Sequence, residues 1–188
     1  MPYLSRDALE ALGFASLGRD VKISDKASIY GAEQMHVGDN SRIDDFCVIS
    51  GRVELGRNVY VGPFALVAGG MPGIVMEDFV TLSYHTQVFT QSDDYSGATM
   101  TNPTVPARYK TEVKQPVRLC RHSIVGAGAI VMPGVTLSAG TSVGAAALVR
   151  ETTEPWSIYA GVPARKLKDR RRDLLDLEAR YLASEAGE

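Results

Sequence analysis

The stretch VGAGAIVMPGVTLSAGTSVGAAALV, residues 125–149, has an aliphatic residue at every sixth position. A period of six fits neither the 3.6-residue repeat of an amphipathic helix nor the two-residue alternation of a strand within one sheet. It is typical of short strands separated by sharp corners, where each strand turns one aliphatic side chain inward. Stacked coils of such strands bury a continuous aliphatic ladder, so the stretch predicts an all-β solenoid.

The same period extends over most of the chain, with slips of two and three residues. The eighteen inward positions are Leu17, Ile23, Ile29, Val37, Ile43, Ile49, Leu55, Val61, Val67, Met76, Leu82, Val88, Leu119, Val125, Val131, Leu137, Val143 and Val149. A β-sandwich with glycine-rich turns would place its turn signals about 8–12 residues apart, so the shorter period favours the solenoid.

The segments outside the repeat predict two helices and one inserted loop. Ser5 is a good N-cap and Gly13 a good stop for a short helix in SRDALEALGF, residues 5–14. The stretch ARKLKDRRRDLLDLEARYL, residues 164–182, predicts a longer helix that covers the open end of the solenoid. Residues 94–116 contain no hexad and three prolines, which indicates a functional loop. We therefore expect a helical segment over 1–16, a solenoid over 17–162 and a helix over 163–188.

The composition of the 188-residue chain excludes several classes of protein. A net charge of −2 gives no reason to expect nucleic acid as a partner. Two cysteines, Cys47 and Cys120, are too few for a disulfide framework. The stretch MPYLSRDALEALGF, residues 1–14, lacks the basic and apolar segments of a signal peptide, so we expect it not to be one. No apolar run reaches the roughly 18 residues of a membrane span. A cytoplasmic protein is the expectation.

The stretch at 125–149 and the closing WSIYAGVPARKLK, residues 156–168, resemble the hexapeptide-repeat acyltransferases. The resemblance implies a left-handed parallel β-helix with three hexads per coil, hence about six coils. It also implies a homotrimer with active sites shared between subunits, and an acyl-CoA as co-substrate, acetyl-CoA first among them, with no metal.

The motif SDDYSG, residues 92–97, resembles that of a subgroup that N-acylates nucleotide-linked amino-deoxy sugars. In that subgroup an aspartate accepts the proton of the amine, and a serine ten residues earlier stabilises the oxyanion; here these are Asp93 and Ser83. Asp93 stands where many relatives have a histidine. A carboxylate with a pKa of about 4 suits an amine acceptor better than a sugar hydroxyl. The resemblance therefore favours N-acylation.

Other roles remain open for the residues of this region. Asp93 and Asp94 could simply cap the turn that opens the loop, and Asp94 is the weaker catalytic candidate. Ser83 could be a corner residue that bonds only local backbone. His85 is the second candidate for the base, or it could orient the acceptor. Tyr84 and Tyr95 are the expected acceptor-binding residues.

The resemblance also assigns a set of residues to coenzyme A. The pantetheine arm is expected along a groove at Ala127 and Ala145, where small side chains permit close approach. Arg150, Arg165 and Lys168 are expected near the phosphates of the carrier.

The function implied is an acyl-CoA-dependent sugar acyltransferase of bacterial surface-polysaccharide synthesis, such as O-antigen or capsule, acting on an amino-deoxy sugar carried by a nucleotide. The alternative is an O-acetyltransferase that acts on a sugar hydroxyl, similar to galactoside acetyltransferases. A third possibility is a non-catalytic trimeric binding protein. Carbonic anhydrases of the same architecture bind zinc through three histidines, two of them close in sequence. His36, His85 and His122 contain no such pair, which disfavours a zinc site.

Overall fold

The chain winds into a parallel β-solenoid in a computed structural model that describes residues 2–185. Its helices are Arg6–Ala11 (α1) and Leu174–Glu185 (α2), with short 3-10 helices at Ala32–Gln34 and Ala107–Tyr109. Its strands are Ser16–Leu17 (β1), Lys22–Ile23 (β2), Ser28–Tyr30 (β3), Met35–Val37 (β4), Arg42–Ile43 (β5), Val48–Leu55 (β6), Tyr60–Val61 (β7), Leu66–Met76 (β8), Thr81–Leu82 (β9), Gln87–Phe89 (β10), Gln91–Asp93 (β11), Glu112–Lys114 (β12), Val117–Leu119 (β13), Ile124–Val125 (β14), Ile130–Val131 (β15), Thr136–Leu137 (β16), Ser142–Val143 (β17), Leu148–Val149 (β18), Ser157–Ala160 (β19) and Arg165–Asp169 (β20).

Strands one coil apart pair in parallel and in register. Leu82 lies opposite Val61 on one side and Val125 on the other. One face of the solenoid stacks seven parallel strands, β2, β5, β7, β9, β14, β17 and β19. The solenoid therefore has seven coils rather than the expected six or so, because β19 adds a last coil in which Tyr159 lies opposite Val143.

The aliphatic ladder predicted from the hexads forms the core. Ile23, Val61, Leu82, Val88 and Leu119 are all completely buried. Burial of an aliphatic side chain contributes roughly 1.5–3 kcal/mol relative to exposure, so the ladder is the main source of stability. The prediction of a β-solenoid is confirmed.

Each coil turns three times, and the turns stack into three corners along the solenoid. We name them by what they carry: the helix corner, the serine corner and the loop corner. Each corner contains residues with left-handed backbone. At the helix corner they include Asn58, Phe79 and His122, and at the serine corner Phe64, His85 and Gly128. At the loop corner they include Gly51, Gly70 and Gly134. In the same order, the corners carry helix α2, Ser83, and the long loop after Asp93.

The N-terminal helix α1 follows the prediction. The Ser5 hydroxyl accepts the Ala8 N–H at 3.2 Å, and Gly13 has a φ of +74° just beyond the helix. Leu9 is buried in the core.

The C-terminal segment differs from the prediction of one helix over 163–188. Arg165–Asp169 is a strand, antiparallel to β19, and α2 begins only at Leu174. The strand, rather than the helix, continues the sheet beyond the last coil. The edge of β19 offers unpaired backbone groups, and pairing them outweighs the helix propensity of the Arg, Lys and Leu residues in this stretch, because propensity differences amount to less than about 1 kcal/mol per residue. The last three residues of the predicted helix, 186–188, lie outside the described residues.

Helix α2 lies along the helix corner instead of covering the open end. Glu178 binds Arg121 and His122, and Tyr181 packs edge-on against Phe79 with ring centroids 6.1 Å apart. The Glu185 carboxylate accepts a hydrogen bond from the Asn40 side-chain amide, nearer the N-terminal end of the solenoid. A helical turn rises about 5.4 Å and coils are about 4.8 Å apart, so each turn of the helix meets one coil.

The loop between β11 and β12 is an antiparallel hairpin at its base. Ser92 pairs with Val113, and Asp93 pairs with Glu112. The predicted insertion at 94–116 is therefore a projecting arm that leaves the loop corner. Among residues 2–185, no helix is long and apolar enough to cross a membrane.

Candidate active site

Ser83, Tyr84 and His85 lie together on the serine corner, between β9 and β10. The Ser83 N–H donates to the Val125 carbonyl of the next coil at 2.9 Å, which holds the serine in the ladder. Ser83 is partly exposed, while Tyr84 and His85 are exposed. The corner thus presents a hydroxyl, a phenol and an imidazole within three consecutive residues.

The next two coils of the same corner carry Ala127 and Ala145, both exposed. A Cβ at Gly126 would come within 2.6 Å of the Ala145 nitrogen, so only glycine permits this packing of the coils. A Cβ at Gly128 would meet nothing within 4 Å. On the C-terminal side of His85, the serine corner is therefore an open track formed by Ala127, Gly128 and Ala145, and its surface consists of backbone and methyl groups.

Arg165 and Lys168 lie beyond the upper end of this track, on strand β20. An irregularity in the pairing leaves Leu167 without a partner, so Arg165 lies opposite Ala160 and Lys168 opposite Ile158. These partners are two residues apart, which puts both cations on one face of the strand. Lys166 lies on the other face, where it pairs with Asp169 at 2.9 Å.

Asp93 and Asp94 lie at the loop corner, where β11 leaves the solenoid. The Asp93 carboxylate accepts the Asn102 backbone N–H at 3.3 Å. Asp94 accepts from the Ser96 N–H and hydroxyl, both at 2.9 Å, and from Thr99 at 3.3 Å. These hydrogen bonds, that of the Ser96 N–H first, lower the pKa of Asp94. The carboxylate oxygens of Asp94 therefore accept three hydrogen bonds within the turn, whereas the Asp93 carboxylate accepts one, from Asn102.

Two cavities meet at Asp93. The loop cavity has a volume of about 610 Å³ and is lined by the arm, including Asp93, Asp94, Tyr95, Thr99, Met100 and Asn102. The basal cavity has about 390 Å³ and lies between the base of the arm and the coils, lined by residues that include Ser92, Asp93, Val113, Met132, Pro133 and Arg150. Tyr95 borders both cavities and is 90 % exposed. Asp93 and Asp94 also line both cavities, so the two carboxylates lie on the boundary between them.

The predicted site residues fall into two groups on one chain. Ser83, Tyr84 and His85, with the two alanines above them, belong to the serine corner, whereas Asp93, Asp94, Tyr95 and Arg150 belong to the loop corner. The face that carries β10 separates the groups, and six extended residues span up to about 20 Å. Arg150 borders the basal cavity, and the Arg165 guanidinium lies 4.0 Å from the carboxylate of the adjacent Glu151.

Several residues at the site were not singled out from the sequence. Val113, Met132 and Pro133 line the basal cavity. Met132 and Pro133 directly follow the inward Val131, so their hexad positions put them at the loop corner. The hexad pattern could therefore have placed Met132 and Pro133 at this corner. The pattern does not indicate the direction in which the arm leaves the coil, so it could not have placed Val113 beside them.

An ion pair between a partly exposed arginine and a buried aspartate, two coils below Ser83, was also missed. Arg42 holds Asp44 through two hydrogen bonds of 2.6 and 3.0 Å, and the Tyr60 hydroxyl donates to Asp44 at 2.8 Å. Burial and the carboxylate raise the pKa of Tyr60 to about 12. Asp44 occupies the same hexad position as Ser83 and is 1 % exposed, so it has a structural role.

The three histidines lie apart. The His36 Nδ1 is 2.8 Å from the Ser16 hydroxyl, His85 lies on the serine corner, and His122 contacts Glu178 on the helix corner. Within the described part of the chain, no group of three or more His, Cys, Asp or Glu side chains could hold a metal ion.

A parallel solenoid built from hexads, with an arm and a hydroxyl-bearing corner, defines the class of hexapeptide-repeat transferases. The family model of the bacterial transferase hexapeptide (six repeats) matches residues 35–69. A dTDP-4-amino-4,6-dideoxy-D-glucose acyltransferase of Escherichia coli is 35 % identical over 191 residues, which cover 100 % of this chain and 99 % of that protein. The chain belongs to the hexapeptide-repeat acyltransferases.

Solved structures of AntD, an N-acyltransferase from Bacillus cereus, are similar over almost the whole chain. The complex with dTDP and 3-hydroxybutyryl-CoA has a TM-score of 0.97 and 41 % identity, covering 98 % of each chain. A serine-to-alanine variant with dTDP-4-amino-4,6-dideoxyglucose and coenzyme A has a TM-score of 0.96 and 41 % identity, covering 97 % of this chain and 98 % of that one. AntD has also been solved with an aspartate replaced, ten positions after that serine.

Proposed function

We propose that this acyltransferase transfers the acyl group of an acyl-CoA to the amine of an amino-deoxy sugar carried on a nucleoside diphosphate. The observation that carries the proposal is the pair of carboxylates Asp93 and Asp94 on the boundary between two cavities, of which Asp93 accepts fewer hydrogen bonds from the arm. One space can receive the acceptor and the other the donor. The complexes of AntD with dTDP, with an amino-deoxy sugar nucleotide and with CoA or acyl-CoA support the same pair of substrates.

The spacing of the two candidate catalytic residues supports the proposal further. Ser83 and Asp93 are ten residues apart, the same spacing as the serine and aspartate that were replaced in AntD. Asp94 is the less suitable base, because the turn at Ser96 and Thr99 already occupies its oxygens.

The chemistry follows from these two groups. The amine nitrogen attacks the thioester carbonyl, a C–N bond forms, and the C–S bond then breaks. Asp93 takes the proton that the amine loses, and the departing thiolate is finally protonated to the free thiol. The Ser83 hydroxyl donates a hydrogen bond to the oxyanion of the tetrahedral intermediate.

The shape of the serine corner fits coenzyme A. Its open track at Ala127, Gly128 and Ala145 leaves room for a pantetheine arm against the backbone. Arg165 and Lys168, beyond the upper end, would meet the phosphates at the nucleotide end. Arg150, at the basal cavity, is assigned to the neighbourhood of Asp93 instead.

We also propose a cyclic trimer in which the serine corner of one subunit faces the loop corner of the next. A heterologous interface joins two different surfaces and closes into a ring. This arrangement would bring Ser83 and Asp93, separated by a face within one chain, into one site. Exposed apolar side chains lie at both corners, with Phe46 and Phe64 at one and Met71 and Tyr95 at the other. Light scattering should give three times the chain mass, and a fully active monomer would contradict the shared site.

The biological setting of the proposal is the synthesis of bacterial surface polysaccharide in the cytoplasm. Cys47 and Cys120 are both unpaired thiols, as a reducing compartment allows.

The test is an acceptor panel with the purified 188-residue chain. Acyl-CoA is supplied with dTDP-4-amino-4,6-dideoxyglucose, with its 4-hydroxy counterpart, and with simple glycosides. We expect thiol release with the amine and a product whose mass increases by one acyl group. Acylation of hydroxyl acceptors alone would establish the O-acetyltransferase alternative, and failure to bind any acyl-CoA would establish a non-catalytic binding protein.

A further inference from the structure

The basal cavity has a chemical character of its own beside Asp93. Val113 comes from strand β12 of the arm, and Met132 and Pro133 come from the coil that follows β15. Val113 is 47 % exposed even though it is apolar, and Met132 is only partly buried against the core. Three apolar side chains from two elements thus face a shared space that no side chain of residues 2–185 fills.

The loop cavity on the other side of Asp93 is different. Its walls include the hydroxyl and amide groups of Thr99, Thr101 and Asn102, and it is the larger space at about 610 Å³. Hydroxyl and amide groups suit the polar surface of a sugar nucleotide. The wall of the basal cavity formed by Val113, Met132 and Pro133 does not, because these side chains offer no partners for hydroxyl groups. The polar residues of this cavity, which include Ser92, Thr111 and Arg150, line the rest of it.

The geometry of acyl transfer restricts where the acyl tail can go. The amine must lie within hydrogen-bond reach of Asp93, about 2.6–3.2 Å. The thioester carbonyl carbon must approach the amine to about 3–3.5 Å. The carbonyl therefore lies within about 7 Å of the carboxylate, and its tail must extend into a space that borders Asp93.

We propose that the basal cavity is the acyl-chain site and that it makes the enzyme prefer an acyl group longer than acetyl. This inference rests on the proposed function and adds to it the class of acyl donor. A volume of about 390 Å³ is more than ten times the roughly 30 Å³ that one water molecule occupies in the liquid, so an acetyl methyl would leave most of it empty. A chain of about four carbons would contact Val113, Met132 and Pro133.

The first experiment compares acetyl-CoA with butyryl-CoA, using dTDP-4-amino-4,6-dideoxyglucose as acceptor. Each buried methylene favours the longer donor by about 0.8 kcal/mol, so two should raise kcat/KM about tenfold. A kcat/KM for acetyl-CoA equal to or above that for butyryl-CoA would overturn the inference while leaving N-acylation intact. An absence of turnover with every acyl-CoA would instead overturn the proposed function, and the inference with it.

Two variants test the cavity itself. Val113→Trp fills it and should lower the butyryl-to-acetyl ratio of kcat/KM at least fivefold. Met132→Ala enlarges it and should raise the ratio for hexanoyl-CoA over butyryl-CoA. The two changes act in opposite directions, so a folding defect in one leaves the other informative.

The matched control is Lys114→Trp, which adds a similar ring to the same strand. Lys114 borders neither cavity and is half exposed. The control should keep the wild-type ratio and rate. Equal losses with all donors in Val113→Trp, or the same change of ratio in Lys114→Trp, would contradict an acyl site at the basal cavity.

Discussion

The imidazole of His85 stacks on the ring of Phe64, with centroids 4.8 Å apart and planes 9° from parallel. Phe64 in turn stacks on Phe46 at 5.0 Å, so three consecutive coils form an aromatic ladder on the serine corner. Within residues 2–185, neither ring nitrogen of His85 has a hydrogen-bond partner. The ladder gives His85 a structural role that explains its presence without proton transfer.

Replacement of His85 separates stacking from proton transfer. His85→Phe keeps the ladder and removes the titratable group, whereas His85→Asn removes both. If Asp93 is the base, we expect His85→Phe to retain turnover within a few-fold and His85→Asn to lose some stability. Steady-state kinetics and thermal denaturation of both variants provide the check. A loss of roughly 10²–10⁴-fold in both variants would instead identify His85 as the base.

Replacement of Asp93 tests the base directly. Asp93→Asn keeps an oxygen to accept the Asn102 N–H and removes the proton acceptor. Turnover should fall roughly 10²–10⁴-fold with little change in the affinity for coenzyme A. The measurement is kcat together with calorimetric titration of coenzyme A.

The neighbouring aspartate is the matched control for that variant. Asp94→Asn alters the turn at Ser96 and should change KM for the acceptor more than kcat. Near-normal turnover in Asp93→Asn together with a collapse in Asp94→Asn would reverse the assignment of the two carboxylates.

Replacement of Ser83 tests stabilisation of the oxyanion. Ser83→Ala removes one hydroxyl donor and leaves the backbone bond to Val125 in place. We expect kcat to fall by at most about 10²–10³-fold, and by less if other donors share the oxyanion. An unchanged kcat in a correctly folded variant would leave Ser83 as a corner residue only.

The docking of α2 predicts a pH-dependent stability. Burial disfavours the charge on Glu178, but hydrogen bonds from Arg121 and His122 outweigh it, so its pKa lies below the usual range. A depressed pKa in the folded state stabilises the protein above the unfolded pKa of about 4.3, and this contribution is lost as the pH falls through the folded value.

Glu178→Gln should therefore lower the free energy of unfolding at pH 7 by about 1–2 kcal/mol. The expected loss is small because Arg121 is one-third exposed, and solvent screens its attraction to Glu178. The difference from wild type should shrink as the pH falls below the unfolded pKa of about 4.3, and it should be lost as the pH falls through the lower folded pKa of Glu178. Denaturant titrations at the two pH values measure it. The control, Glu10→Gln, breaks an exposed pair with Arg6 and should change stability by no more than about 0.5 kcal/mol. A constant difference at both pH values would argue against an ionic role for Glu178.

The local sequence determined the repeating part of this protein. An inward aliphatic residue every six positions, from Leu17 to Val149, is enough to predict stacked coils, because each hexad must bury one side chain and then turn. Ser5 and Gly13 likewise predicted α1, since capping depends on groups within a few residues. The motif at Asp93 marked the point where the arm leaves the coil.

Only the tertiary structure decided which of these residues share a space. Ser83 and Asp93 are ten residues apart, yet they lie on different corners, because the hexad between them forms a whole face of the solenoid. Arg165–Asp169 reads as the start of a helix, but the open edge of β19 makes it a strand. Helix α2 lies beside Phe79 and His122 because its rise per turn nearly matches the spacing of the coils. The contacts of α2 with Arg121 and His122 join residues more than 50 positions apart, and no local pattern of side chains specifies them.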